Sequence, residues 1–324
     1  MKQRVLWIDW IKIIGIYLIV LGHMSAPGND FIYVFHVPLF FITSGYLAQK
    51  ADSMKVCVSK MYMRLIIPSI VWLIPALAKV SAVDILKNGK SVCDVLIHHW
   101  GEAIIGNAIE LSVFWFIYTL VLVKILFQLI EGSMIRNKWL IHVVFCIFFF
   151  SIAAYLNYSK LFFQNSILNI ITAYPFFMIG YGLERWKVTF NELGPIAAVV
   201  MLLVGFVLTF AVLLYNGPVH LYTSLCGKYV TICIVGGISG TVMVYGLSKL
   251  IQLKRQWVTD LSNGTIVIMG LHPLVIMVLR IIYPIVDFSY GYYFISLGIM
   301  LLSYGIIVFF KEILPNINRC KVIK

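Results

Sequence analysis

Charge is scarce in this chain. Only 12% of its 324 residues are charged, with 13 acidic side chains in all, whereas 61% are hydrophobic and the mean hydropathy is +0.96. A soluble domain carries about 25% charge on about 45–50% apolar residues. Such a chain cannot cover its own apolar surface in water, so lipid is its solvent. Paired cysteines are also missing. Cys57, Cys93, Cys146, Cys226, Cys233 and Cys320 are scattered without a C-x-x-C, and so give neither a disulfide framework nor a metal cage. Most read as small apolar packers within helices. The net charge of +12 has no basic stripe behind it, which argues against a nucleic-acid partner. There is no internal repeat and no soluble second domain, so residues 1–324 read as one membrane-embedded domain.

What remains is a succession of apolar runs. In lipid every backbone polar group needs an internal partner, which leaves helical bundles or closed barrels. The runs here approach 20 residues rather than the 10-residue alternation of a barrel strand, so they read as helices. The expected class is an all-α polytopic bundle of about ten spans. These lie near 7–25, 31–48, 64–79, 112–131, 139–156, 167–184, 195–215, 229–250, 263–283 and 291–311. The stretch from 80 to 111 mixes Asp84, Lys87, Asp94 and Glu102 with apolar residues, and reads as an interfacial helix or a re-entrant loop. Lys2 and Arg4 before an apolar run resemble a signal sequence, but Asp9 and Lys12 interrupt the run and no small-residue cleavage site follows. The first segment is therefore expected to stay as a span.

Orientation follows from the 25 Lys and Arg residues. With a cytoplasmic N-terminus, only Lys79, Lys87, Lys90, Lys160 and Lys228 fall in outer loops. Lys12, Lys124 and Arg280 lie within or at the edge of spans, and the remaining 17 are inside. The positive-inside rule then puts both termini in the cytoplasm.

Ionisable groups within spans cost about 2.5–3.5 kcal/mol each at a helix centre and mark candidate sites. The first helix has Asp9, Lys12 and His23. At about 100° per residue, His23 lies about 20° from Lys12 and about 40° from Asp9, so all three share one face. Lys12 and His23 are roughly 16 Å apart along the axis and cannot touch. Asp9 and Lys12, one turn apart, read as an ion pair or as interfacial charges snorkelling to water. The second helix opens with FHVPLFFITSGY at 35–46, which starts His36 at the outer level where His23 ends. Histidine is the usual general base near neutral pH.

The combination of Arg4, Asp9, Lys12 and His23 with FHVPLFFITSGY resembles the opening of the acyltransferase-3 family of membrane O-acyltransferases, in its fucose 4-O-acetylase-like subgroup. The motif residues are His36, Pro38, Phe40, Phe41, Ser44, Gly45 and Tyr46. Weaker matches follow in order: Lys60, Arg64 and Pro68; FWF at 114–116; YPFFMIGYGL at 174–183; and IMGLHP at 268–273. Lys60 stands where the family often has Arg, and Met269 where Tyr is usual.

The resemblance implies transfer of an acyl group, usually acetyl from acetyl-CoA, to a hydroxyl of a sugar or glycolipid, with no metal. It carries a catalytic role onto His23, Asp9, Lys12 and His36. Acyl-CoA binding falls to Arg64, Lys60, Arg4 and Ser44, and acceptor binding to Trp115 and His272. Arg64 and Lys60 fall at the expected cytoplasmic face, where CoA is available, and His23, His36 and Trp115 toward the outer one. Trp115 reads equally as an interfacial anchor, and His272 as a structural histidine. A transporter or glycolipid flippase is the alternative class, although no matched pair of interrupted helices marks two halves. A degenerate family member acting as a binding factor is a third.

The charge asymmetry predicts that a C-terminal fluorescent fusion active only in the cytoplasm will be bright. A reporter active only outside the cytoplasm should be silent there, and the opposite pattern would reverse the topology.

Overall fold

A computed structural model of the chain describes residues 5–24, 26–186, 192–282 and 291–313. Among them there is no strand. The helices in chain order are α1 (Leu6–His23), α2 (Asn29–Tyr33), α3 (His36–Tyr46), α4 (Met54–Met61), α5 (Ile67–Asn88), α6 (Val92–Ile104), α7 (Ala108–Leu111), α8 (Trp115–Gly132), α9 (Lys138–Tyr158), α10 (Ile170–Arg185), α11 (Pro195–Asn216), α12 (Val230–Leu250), α13 (Gln256–Asn263), α14 (Thr265–Ile282) and α15 (Tyr292–Ile313). A π-helical turn, Tyr62–Ile66, joins α4 to α5.

Seven helical segments among the described residues are long and apolar enough to cross a membrane, or eight if the bent pair α13–α14 is one span. The chain is thus an all-α, multi-pass membrane bundle. The other two expected spans are also helical but short. The run at 31–48 divides into α2 and the 11-residue α3, and that at 167–184 is the 16-residue α10. Sixteen residues rise about 24 Å, less than the ~30 Å hydrocarbon core. The third expected span is longer than its apolar run, because α4, the π turn and α5 continue as one helical segment over Met54–Asn88. The stretch expected to be interfacial or re-entrant holds the end of α5, then α6 and α7. Lipid exposure is plain on α11, where Ile196, Val200, Leu203, Val207 and Leu214 are exposed.

The chain forms two compact units. One comprises residues 30–247. Its closest helix pair is α3 against α10, and the reason is a reciprocal use of glycine. A Cβ at Gly45 would strike the Phe177 carbonyl, and one at Gly180 would strike the Ile42 carbonyl. Helices associating in lipid have no hydrophobic driving force between them, so close backbone approach at small residues replaces it. The same device recurs where Gly205 of α11 meets α12: an added Cβ would lie 2.7 Å from Ser239 O and Met243 N. Gly237 of α12 leaves room for Phe176 and Pro38, at 2.6 and 2.8 Å from such a Cβ.

The other unit comprises residues 1–29 and 248–324. Here α1 packs on α13, α14 and α15. The chain bends by 74° between α13 and α14, at Gly264. A Cβ at Gly264 would press on Ile307 of α15, so the absence of a side chain lets the bend pack closely. Below it, Lys311 Nζ binds Asp260 Oδ1 at 2.8 Å. Trp10 Nε1 donates to Leu253 O at 3.1 Å.

Gly180→Ala should cost about 3 kcal/mol or more, because the intruded atom is backbone and cannot swing aside. Gly298→Ala, where nothing lies within 4 Å, should be tolerated. Thermal unfolding of the two variants in detergent checks this; equal stability would remove the glycine crossing as a cause.

Candidate active site

Two polar contacts hold α1 in parallel register with the bent pair. Near the start of α1, Asp9 is 5% exposed, and its Oδ1 accepts a hydrogen bond from Ser262 Oγ at 2.6 Å. Ser262 stands two residues before the bend. The bond joins residues 253 apart, and nothing in the spacing around Asp9 or Ser262 announces it. Lys12, one turn on, is half-buried.

At the far end of α1, His23 is exposed and its ring lies 5.2 Å from that of His272, inclined at 38°. His272 is fully buried on α14. Its Nδ1 lies 3.0 Å from the Ile268 carbonyl. A carbonyl oxygen only accepts, so Nδ1 donates and the neutral ring turns an unprotonated Nε2 to its surroundings. This Nε2 has no hydrogen-bond partner among the described residues. A buried polar atom left so costs about 1–3 kcal/mol, and such exceptions call for a chemical reason. The sequence reading gave His272 to the acceptor. The structure sets it against His23.

The turn leaving α1 is built for this end of the helix. Asn29 Nδ2 donates to Gly22 O at 2.7 Å, and Gly28 takes the left-handed φ of +85°. Tyr293 of α15 donates to the Pro27 carbonyl at 3.1 Å, and Tyr17 to the Tyr293 carbonyl at 3.3 Å.

The remaining expected site residues belong to the unit of residues 30–247. His36 opens α3, buried, with Nδ1 2.9 Å from Ile32 O, and its ring lies 5.0 Å from that of Tyr33. Pro38 fits the first turn of α3, where a backbone N–H would have no helical acceptor. Ser44 is half-buried on α3. Lys60 and Arg64 are both exposed, one turn apart, at the end of α4 and in the π turn. π turns are frequent at functional sites. Trp115 begins α8 and packs with Trp100, Tyr118 and Leu73 around Leu77, Ala103 and Leu111. Arg4 lies outside the described residues.

One buried polar network escaped the sequence reading. His142 of α9 is 1% exposed, with Nδ1 2.6 Å from Tyr174 Oη and Nε2 3.1 Å from Glu131 Oε1. Tyr181 donates to the same Glu131 oxygen at 3.2 Å. Glu131 and His142 lie near helix ends, where they read as ordinary interfacial charges; only the packing of α8, α9 and α10 joins them.

Residues 5–310 match the acyltransferase domain of the acyltransferase-3 type, and the chain belongs to that family. The match runs from the start of α1 into α15, so it contains every expected site residue but Arg4. The nodulation protein NolL of Mesorhizobium japonicum is 27% identical over 263 residues, which cover 75% of this chain and 66% of that protein. The chain thus spans just under two thirds of the length of this relative. No solved structure matches. The protein is thus a multi-pass membrane member of the acyltransferase-3 family.

Removing the Ser262 hydroxyl takes a hydrogen bond from a buried carboxylate. Ser262→Ala should therefore lose about 1.5–3 kcal/mol of stability, while Ser262→Thr should lose much less. Calorimetry of both variants in one detergent is the check; an unchanged Ser262→Ala would mean the contact contributes nothing.

Proposed function

We propose that this protein transfers an acetyl or other short acyl group from cytoplasmic acyl-CoA to a hydroxyl of a cell-surface sugar, polysaccharide or glycolipid. It would act in the inner (plasma) membrane with its N-terminus in the cytoplasm. The observation that carries this reading is the His23–His272 pair. Hydroxyl acylation needs a base beside the acceptor oxygen. An exposed histidine can meet a substrate, and a buried one whose Nε2 can only accept can hold it in position.

In this reading His23 takes the proton of the acceptor hydroxyl as the oxygen attacks the thioester carbon. The new C–O bond forms, the C–S bond breaks, and the proton returns to the leaving CoA sulfur. His272 orients His23 by packing against its ring. Asp9, with Ser262 and the neighbouring Lys12, fixes the inner end of α1 and so the reach of His23. Lys60 and Arg64 suit the phosphates of CoA as exposed cations, with Arg4 and Ser44 as further donors. His36 is a further candidate catalytic group in the unit of residues 30–247, and Trp115 offers an aromatic face to the sugar or to the acyl arm.

Membership of the membrane acyltransferase-3 family favours this reading over transport. Among the described residues the one bent pair, α13–α14, is a discontinuous helix such as transporters use, but transporters pair theirs across two repeats.

Purified protein in nanodiscs, given labelled acetyl-CoA and a panel of hydroxyl-bearing glycans, should transfer label to one class of acceptor. His23→Ala should lose at least about 100-fold in turnover, the lower bound for a general base. Well-folded wild-type protein that neither binds nor consumes any short acyl-CoA would favour the transporter. A fully active His23→Ala would remove His23 as the base.

A further inference from the structure

A second constellation lies where α5, α6 and α7 converge, on the helices whose Leu77, Ala103 and Leu111 pack around Trp115. His98 and His99 are neighbours on α6, and Glu110 is on α7. One ligand-capable atom from each lies within 4.8 Å of the others. Adjacent helical residues do not normally face each other, yet the two imidazoles are 5.2 Å apart. His99 is buried and His98 exposed, so the cluster has one closed and one open side.

The bonds of His99 supply a second argument. Its Nδ1 is 2.8 Å from Glu110 Oε2, and its Nε2 is 3.2 Å from Asp84 Oδ2. A neutral imidazole has a single N–H and can donate to only one of these carboxylates. The other nitrogen and its oxygen then meet lone pair to lone pair, which requires either an extra proton or a cation between them.

Asp84 is fixed by others: Asn88 Nδ2 donates to its Oδ1 at 2.7 Å, and Lys90 Nζ binds its Oδ2 at 2.7 Å. It is therefore suited to hold the Nε2–H of His99 and leave Nδ1 free to ligate. A metal-bound histidine whose other nitrogen donates to a carboxylate is the usual outer support of a zinc site.

We infer that His98, His99 and Glu110 form a binding site for a divalent transition-metal ion of the zinc class, with Asp84 supporting His99 from behind. Two imidazoles and one carboxylate suit Zn²⁺, whereas Mg²⁺ and Ca²⁺ prefer oxygen alone. At usual bond lengths of about 2.1 Å a tetrahedral ion sets its N and O ligands roughly 3.4 Å apart. Glu110 would need to withdraw only slightly to admit it. The fourth position, on the exposed His98 side, is left to water. Such an ion would tie α5, α6 and α7 together, and it stands independently of the acyl-transfer reading. The reading from sequence alone expected no metal and did not single out His98, His99 or Glu110.

The test is a titration of full-length protein, purified with a tag free of histidine and stripped with chelator, using Zn²⁺ alone. One equivalent should bind and raise the melting temperature, and Co²⁺ in its place should give the visible bands of a tetrahedral site. His98→Ala and His99→Ala should weaken binding at least about 100-fold, and Asp84→Asn about 10–100-fold, as loss of an outer-shell partner does. His98 is exposed, so its variant serves where His99→Ala fails to fold. Absence of stoichiometric binding by folded wild-type protein would overturn the site and leave a protonated His99 clamped by two carboxylates. Zn²⁺ binding that survives both histidine substitutions would overturn it equally.

Discussion

A buried polar atom in a bilayer has no water to turn to, and most of the distinctive geometry of this protein follows from that. Each ionisable or hydroxyl side chain carried into the bundle must find its partner on another helix or on its own backbone. Asp9 finds Ser262, His142 finds Tyr174 and Glu131, and Thr209 finds Ser239 at 2.9 Å. These pairings fix helix register as apolar contacts alone cannot, because lipid tails are as apolar as leucine. Six buried side-chain atoms among the described residues have no hydrogen-bond partner, and the Nε2 of His272 is the one imidazole nitrogen among them. It is held in one tautomer by the backbone of its own helix, buried, and beside the exposed His23.

Close approach is the other half of the construction. Where helices cannot gain from excluding water, they gain from contact, and glycine sets how near they come. The crossing of α3 and α10 at Gly45 and Gly180 sits inside the two aromatic–glycine motifs, FHVPLFFITSGY and YPFFMIGYGL. Their aromatic residues fill the core, with Phe41, Phe176 and Phe177 all buried. Much of what looks like a chemical signature in these motifs is therefore packing. Their polar members are His36, Thr43, Ser44, Tyr46, Tyr174 and Tyr181, and the last two join the His142–Glu131 network.

The membrane class, the helical architecture and the family could all be read from the chain. Hydropathy is a sum over many residues, and the motif in the first 46 is dense enough to survive local substitutions. Helical periodicity was the basis for expecting Asp9, Lys12 and His23 on one face of α1; along the helix they run from buried through half-buried to exposed. What could not be read depends on contacts between distant segments. Ser262 and His272 are more than 240 residues from their partners, and no local pattern reports such a pairing. The bend at Gly264 looks from sequence like an ordinary break. The short α3 and α10 were read as full spans because flanking apolar residues lengthen their runs, although the helices stop sooner. Glu131 and His142 went unnoticed because charge near a helix end is common.

The central claim is that His23 and His272 act as a pair, the exposed member on the substrate and the buried member through it. The most direct measurement is the pH dependence of acyl transfer by purified His272→Gln protein, beside the wild type. Loss of the paired imidazole should lower kcat by at least about tenfold and change the pH profile, while KM for acyl-CoA stays close to that of the wild type. An unchanged kcat and profile in a folded His272→Gln protein would contradict the pairing and return His272 to a packing role.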